Sequence, residues 1–288
     1  MTGRAPRETM LVRGIELRRD PAREPCFPVV HELHELLNPT VETPEGRRQF
    51  LHLDLNNEVQ SAEIAAQTLV DFPGAPWELR LNLARQVWDE TRHARLYYRH
   101  LKELGGFKGE FTVANHEWCV TCIIDTLPGR LAIQNRAFEG GSLDIFIRVA
   151  EQWRAQGDER AAEITEGVLI DEIQHVRFAN EWLQRMIKEN PRTLLKIARA
   201  IDQTNRIMKA LAPVAGEFSL DRVELAARRP RFDMNVEDRA IAGFSELEIG
   251  QLLERDRLSR LEEQRQHEQH QQWLRQQWEQ TGGEAPPL

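Results

Sequence analysis

One five-residue phrase occurs twice in this chain of 288 residues, and it limits the folds that the chain can adopt. Residues 89–93 have the sequence Asp-Glu-Thr-Arg-His, and residues 171–175 have the sequence Asp-Glu-Ile-Gln-His. On an α-helix, residues three apart lie about 60° apart around the axis and roughly 4.5 Å apart along it. The Glu and the His of each phrase can therefore bind the same ion, and each phrase supplies half of a site.

Apolar residues at helical spacing surround both phrases, which predicts that the ligand candidates point into a core. The flanking residues of the first phrase are Leu83, Val87, Ala94, Tyr97 and Leu104, and those of the second are Val168, Leu169, Val176, Ala179 and Leu183. A buried carboxylate without a partner is costly, and a bound cation is the simplest remedy. The two phrases therefore indicate a metal site.

Two further helices are expected to contribute one inward carboxylate each, as in a dimetal helix bundle. Glu58 lies within an apolar stripe, and Glu139 follows Phe138 on the third predicted helix. The separation between Glu58 and Glu90 is within one residue of that between Glu139 and Glu172, as expected for two equivalent helical hairpins. The predicted ligands are Glu58, Glu90, His93, Glu139, Glu172 and His175. Four carboxylates and two imidazoles match two divalent ions and favour Fe or Mn over Mg or Ca.

The order of helix signals predicts an all-α protein with three parts. Residues 1–44 form a proline-rich N-terminal arm, residues 45–190 a four-helix bundle, and residues 191–288 a C-terminal helical extension. The predicted bundle helices run from Pro44 to Asp71, from Pro76 to Gly105, from Pro128 to Gln156, and from Asp158 to Asn190, with a short helix near residues 117–126. Two hairpins joined by a long crossover give the connectivity of ferritin-like bundles.

Composition excludes several classes of function. The net charge of −8 disfavours nucleic acid as a partner. The first 25 residues contain no signal-peptide or membrane-spanning stretch, so we expect a cytoplasmic protein without membrane contact. Three cysteines cannot form a disulfide framework, and Cys119 and Cys122 are interpreted as small residues on a short helix rather than a redox or zinc motif.

Four segments of the sequence resemble the ferritin-like di-iron carboxylate superfamily and, more narrowly, a bacterial ferritin-like domain family of previously unknown function. These segments are NNEVQSAEIA, WDETRHARLYYRHLKELGG, NRAFEGGSLDIF and LIDEIQHVRFANEW. The form of residues 89–93 also resembles the ligand motif of soluble di-iron monooxygenases, whereas Gln174 stands where the second copy of that motif has an arginine.

The resemblance implies an O2-dependent di-iron oxidase or oxygenase that binds two Fe ions, or one Mn and one Fe, and acts on a small organic substrate with O2 and an external reductant. The resemblance is also compatible with a homo-oligomer. Three alternatives remain at this point: a ferroxidase or peroxide-scavenging iron-handling protein, a tRNA-modifying hydroxylase, and a bundle that uses metal only for stability. The acidic charge weighs against the tRNA enzyme.

Residues beside the ligands have predicted supporting roles. Asp89 and Asp171 each lie four residues before a ligand histidine, so they can orient an imidazole, including that of the opposite hairpin. Their alternative interpretation is as surface carboxylates. Tyr97 and Phe138 are the aromatic residues closest to the ligands by spacing and are the predicted pocket residues. The pair Gly140-Gly141 indicates a helix distortion or a close helix contact.

Overall fold

A computed structural model describes residues 8–31, 40–211 and 233–280, and most of these residues are helical. The chain divides into two compact units, Met1–Gly243 and Phe244–Leu288. The helices of the first unit are α1 (Pro44–Asp71), α2 (Trp77–Glu103), α3 (His116–Thr121), α4 (Leu127–Leu131), α5 (Gly140–Ala155), α6 (Glu159–Glu189), α7 (Thr193–Leu211) and α8 (Val236–Ile241). The second unit contains α9 (Glu246–Gln280).

Helix α1 begins and ends where the sequence predicts. The Thr43 hydroxyl accepts a hydrogen bond from the Gly46 amide at 3.0 Å, and Pro44 occupies the first helical turn, where its missing N–H is not needed. A short connection after Asp71 leads to α2, which packs along α1. Helix α6 is likewise capped by Asp158, whose carboxylate accepts from the Ala161 amide at 3.0 Å.

The third predicted helix is divided into three segments. Helix α4 is followed by a π-helical segment, Ala132–Glu139, and only then by α5. The distortion expected from Gly140-Gly141 therefore lies immediately before these glycines and ends at Glu139. A π-helical turn shifts the side chains that follow it relative to an α-helix, and such segments are frequent at functional sites.

The all-α prediction is wrong for the N-terminal arm, which contains a β-hairpin. Strands β1 (Thr9–Val12) and β2 (Ile15–Arg18) pair antiparallel through a two-residue turn. Arg13 and Gly14 both have positive φ angles, of 49° and 75°, as a tight hairpin turn of this kind requires. Strands of four residues are too short to give a clear alternating pattern in the sequence. The prolines of the arm leave room in the sequence for a short helix near residues 31–37, and these residues lie outside the described ones, apart from His31.

The division between the two units lies within residues 191–288, the predicted C-terminal extension. Helix α7 covers residues 193–211, where the amphipathic pattern of the sequence predicts a helix. It packs against α4 and the π-helical segment, so it belongs to the unit that contains the bundle helices. Helix α8, which was not predicted, is anchored by Arg239, whose guanidinium donates to Asp144 at 2.6 Å and to the Gly140 carbonyl at 2.7 Å. Helix α9 covers a stretch rich in Glu, Gln and Arg, which the sequence predicts as a solvated or partner-binding helix, and it has exposed leucines. None of the described helices is long and apolar enough to cross a membrane.

Two apolar layers lie on either side of a polar zone along α2 and α6. On α2, Leu83 belongs to one layer and Tyr97 to the other, while Glu90 and His93 lie between them. The same arrangement holds on α6, where the polar zone separates the layer of Val168 from the layer of Leu183. These layers exclude water from both ends of the polar zone.

Candidate metal centre

Four helical segments bring six buried residues together. The residues come from α1 (Glu58), α2 (Glu90 and His93), the end of the π-helical segment (Glu139) and α6 (Glu172 and His175). Their exposed fractions range from 0% for Glu90 and His93 to 6% for Glu58. We refer to these residues as the six-residue cluster. All six were predicted from the sequence, and the structure places them in one polar zone.

The cluster consists of two overlapping groups that can hold metal ions. The first group is Glu58, Glu90, His93 and Glu172, and the second is Glu90, Glu139, Glu172 and His175. Within each group, one ligand atom per residue lies within 4.8 Å of the others. Because Glu90 and Glu172 belong to both groups, each can contribute one oxygen to each of two neighbouring ions. Each group also contains one imidazole and one carboxylate that the other group lacks, Glu58 in the first group and Glu139 in the second.

Both histidines turn the same ring nitrogen towards the carboxylates. His93 Nδ1 lies 3.1 Å from Glu58 Oε2 and 3.2 Å from Glu90 Oε2. His175 Nδ1 lies 3.4 Å from Glu90 Oε1 and 3.6 Å from Glu172 Oε2. Neither ring nitrogen of His175 makes a hydrogen bond, and Glu172 Oε2 also has none. Buried polar atoms of this kind are costly unless they have a partner. A metal ion is a partner that suits His175 Nδ1 and Glu172 Oε2, whereas His175 Nε2 faces Asp89.

The two aspartates contact the histidines in a crossed pattern. Asp171 on α6 lies 3.1 Å from Nε2 of His93 on α2, and Asp89 on α2 lies 3.5 Å from Nε2 of His175 on α6. Each aspartate also accepts from an arginine: Asp171 from Arg92, and Asp89 from Arg85 at 2.7 Å. A carboxylate on Nε2 fixes the tautomer that leaves Nδ1 as a metal ligand. Each phrase therefore supports the imidazole of the other hairpin.

Three amide side chains surround Glu139, and the sequence argument did not include them. Gln134 Nε2 donates to Glu139 Oε1 at 3.2 Å, Asn135 Nδ2 donates to Oε2 at 2.8 Å, and Gln86 Nε2 also donates to Oε1. Gln86 Nε2 donates in addition to Glu90 Oε1 at 3.2 Å. A sequence signal existed, because Gln86 and Asn135 lie one helical turn before the carboxylates that they contact.

The cluster carries more carboxylates than its own positive charges can balance. Burial raises the pKa of Glu58 and Glu139 well above their ordinary values, and it raises that of Glu172 as well. For Glu90, the effect of burial is outweighed by the imidazolium charges, which lower its pKa. Burial opposes protonation of His93, but Glu58 and Glu90 raise its pKa to about 11. A divalent cation removes the same electrostatic penalty and displaces these protons, so metal affinity rises with pH.

The predicted pocket residues lie in different parts of the core. Tyr97 is fully buried among α1, α2, α5 and α6 residues, whereas Phe138 packs towards α3 and α7. A cavity of about 340 Å³ does reach His175. Its other lining residues are mainly polar: Asn82, Arg85, Asp89, Asp171, Gln174, Arg177, Phe178 and Glu181. The proposed pocket of Tyr97 and Phe138 stays a prediction.

The two neighbouring cysteines are not part of the cluster. Cys119 and Cys122 are buried thiols, and burial raises the pKa of the Cys119 thiol. Cys119 Sγ lies 3.8 Å from Asp20 Oδ1, and Cys122 lies 3.7 Å from Arg130 Nη1. Both therefore contribute to packing around α3.

Comparisons with known proteins place the chain in a family but give no activity. A family model described as "Protein of unknown function (DUF455)" matches residues 5–250. The chain belongs to this family. The DUF455 match includes every residue of the six-residue cluster. An "Uncharacterized protein" from Haemophilus influenzae is 28% identical over 155 residues, which cover 51% of this chain and 54% of that protein. The chain thus spans about half the length of this relative. No solved structure matches the chain.

Proposed function

We propose that this DUF455 protein is a ferritin-like di-iron, or Mn/Fe, oxidoreductase that uses O2 to oxidise a small organic substrate. The observation that carries the proposal is the sharing of Glu90 and Glu172 between two four-residue groups. Shared carboxylates hold two ions close together, and a pair of close ions is suited to a two-electron reaction with O2. The resemblance of the motifs to di-iron carboxylate proteins supports the same conclusion.

The donor set suits iron or manganese. Oxygen and imidazole nitrogen ligands without thiolate are typical of Fe and Mn sites, and a Glu-x-x-His motif on each of two helices is the arrangement of ferritin-like dimetal proteins. Nδ1 of His175 and Oε2 of Glu172 make no hydrogen bond, and a metal would satisfy both atoms. The ions would be held by Glu58, Glu90, His93, Glu139, Glu172 and His175.

The other residues prepare the site for this chemistry. Asp89 and Asp171 hold the imidazoles with Nδ1 towards the carboxylates, and the apolar layers around Tyr97 and Leu83 exclude bulk water. Bound iron would supply the electrons that activate O2, and an external reductant would restore them. The cavity beside His175 gives a small molecule a route to the site.

A second candidate, a ferroxidase or other iron-handling protein, is favoured by one observation. The cavity beside His175 is lined by three carboxylates, those of Asp89, Asp171 and Glu181, and by two guanidinium groups, those of Arg85 and Arg177. The excess of negative charge and the polar lining suit the passage of a cation. An organic oxidase retains its ions, whereas an iron handler passes them through. The two candidates therefore differ in what sustains the consumption of O2.

Oxygen uptake by reduced, iron-loaded protein tests the proposal. We expect one limited burst of O2 consumption by the protein alone and no catalytic turnover of added ferrous iron. Sustained uptake should require a reductant and an organic substrate. The Glu90→Gln variant, which lacks a shared ligand, is the control for iron oxidation outside the site. Catalytic oxidation of excess ferrous iron by the wild-type protein, but not by this variant, would establish the ferroxidase instead.

A further inference from the structure

The two groups of the cluster differ in the hydrogen bonds of the carboxylates that they do not share, Glu58 and Glu139. Glu139 receives hydrogen bonds from three amide groups, those of Gln86, Gln134 and Asn135. These amides have no spare N–H group, because Gln86 also donates to Glu90 Oε1, Gln134 to Ser61 Oγ at 3.3 Å, and Asn135 to Gln86 Oε1 at 3.0 Å. The amides therefore form a fixed cradle around Glu139.

The hydrogen bonds occupy most of the electron pairs with which Glu139 could bind a metal. Each carboxylate oxygen has two lone pairs. Oε1 accepts from both Gln86 and Gln134, and Oε2 accepts from Asn135. One lone pair, on Oε2, remains for an ion unless a hydrogen bond is broken.

Glu58 is held differently. In the described part of the chain, no amide side chain donates to Glu58, and its close neighbour is Nδ1 of His93, itself a candidate ligand of the same ion. Both oxygens of Glu58 are thus available to a metal. The asymmetry also appears along the chain, because Asn135 lies four residues before Glu139 and the corresponding residue before Glu58 is Asp54, which has no N–H to donate.

We infer that the amide cradle makes the two metal positions unequal in affinity. The position of Glu139 and His175 binds its ion more weakly and exchanges it more readily. An ion there has fewer oxygen ligands and keeps room for water, O2 or a substrate atom. The cavity of about 340 Å³ is lined by His175, so a small molecule in this cavity reaches the position of Glu139 and His175. The inference rests on the dimetal site of the proposed function and assigns its reactive side.

Cobalt titration of the metal-stripped, full-length protein tests the assignment. Co²⁺ binding is followed by equilibrium dialysis and by visible absorption, which is stronger when the ion has fewer ligands. We expect two ions to bind in steps that differ by about tenfold or more in affinity, with stronger absorption in the second step. His175→Ala should keep one ion with the tighter affinity, and His93→Ala should keep one ion with the weaker affinity.

A second pair of variants tests the cradle itself. Gln134→Met removes one N–H donor at similar volume and frees a lone pair on Glu139. The ratio between the two metal affinities should therefore decrease by about tenfold. Gln60→Met is the matched control, because Gln60 is equally buried but donates to the Ala114 carbonyl outside the cluster. It should leave the two steps unchanged.

The outcomes separate the inference from the proposed function. Two ions with equal affinity, a tighter ion retained by His93→Ala, or unchanged steps in Gln134→Met would overturn the inequality and leave the dimetal site intact. No bound ion would overturn both. The wild-type titration tests the inequality even if a variant does not fold, and the two histidine variants assign the weaker position.

Discussion

The crossed Asp–His contacts predict how single substitutions change metal affinity. Asp171 is the carboxylate within hydrogen-bond distance of His93 Nε2, at 3.1 Å, and it also accepts from Arg92. Asp171→Asn keeps the shape but removes the charge that stabilises the metal-bound tautomer of His93. Loss of such a partner weakens metal binding by roughly 10–100-fold, or about 1.4–2.7 kcal/mol. Asp89 lies further from its histidine, at 3.5 Å, so Asp89→Asn should fall at the lower end of this range.

Equilibrium binding of Mn²⁺ or Co²⁺ at neutral pH measures the effect. Burial alone would raise the pKa of Asp89, but His175 and Arg85 lower it to about 2, so this carboxylate is charged throughout the assay. Asp158→Asn is the matched control, because Asp158 lies 2.9 Å from His100 Nε2 outside the cluster, and Asn also caps a helix well. Wild-type affinity and O2 reactivity in both Asp171→Asn and Asp89→Asn would show that these carboxylates do not support the metal site.

Two further predictions concern stability. The pKa of His93 is raised from 6.5 to about 11, so the proton it gains on folding contributes stability that is fully present below pH 6.5 and is lost as the pH rises through 11. The metal-free protein should therefore melt at lower temperature as the pH rises across this range, whereas metal-loaded protein should not, and equal pH profiles would contradict the reasoning. Separately, Gly109 has a φ of 80°, and a Cβ there would clash with the Cys26 carbonyl oxygen. Gly109→Ala should cost about 1–3 kcal/mol in urea unfolding, while Gly74→Ala, at an open position, should cost much less; similar values for both would refute the close contact.

The sequence predicted the helices and the cluster because both depend on local periodicity. Proline and glycine positions defined α1 and α2, and the repeated phrase placed Glu90, His93, Glu172 and His175 on inward faces. The crossed contacts of Asp89 and Asp171 follow from two such helices packing side by side.

Features that depend on tertiary packing were harder to predict. The hairpin of β1 and β2 has strands of four residues, too short for a clear alternating pattern. The cradle of Glu139 requires the π-helical segment, which brings Gln134 and Asn135 to the same carboxylate as Gln86 from another helix. Helix α8 is attached by an ion pair between Arg239 and Asp144, which are far apart in the sequence.

The metal content of the full-length protein tests the central claim most directly. Protein expressed with iron, or stripped and reconstituted with ferrous iron without O2, is analysed for metals and for protein concentration. The two overlapping groups predict close to two ions of iron, or of iron and manganese, per chain. One zinc ion per chain, or no metal after reconstitution, would contradict the dimetal centre.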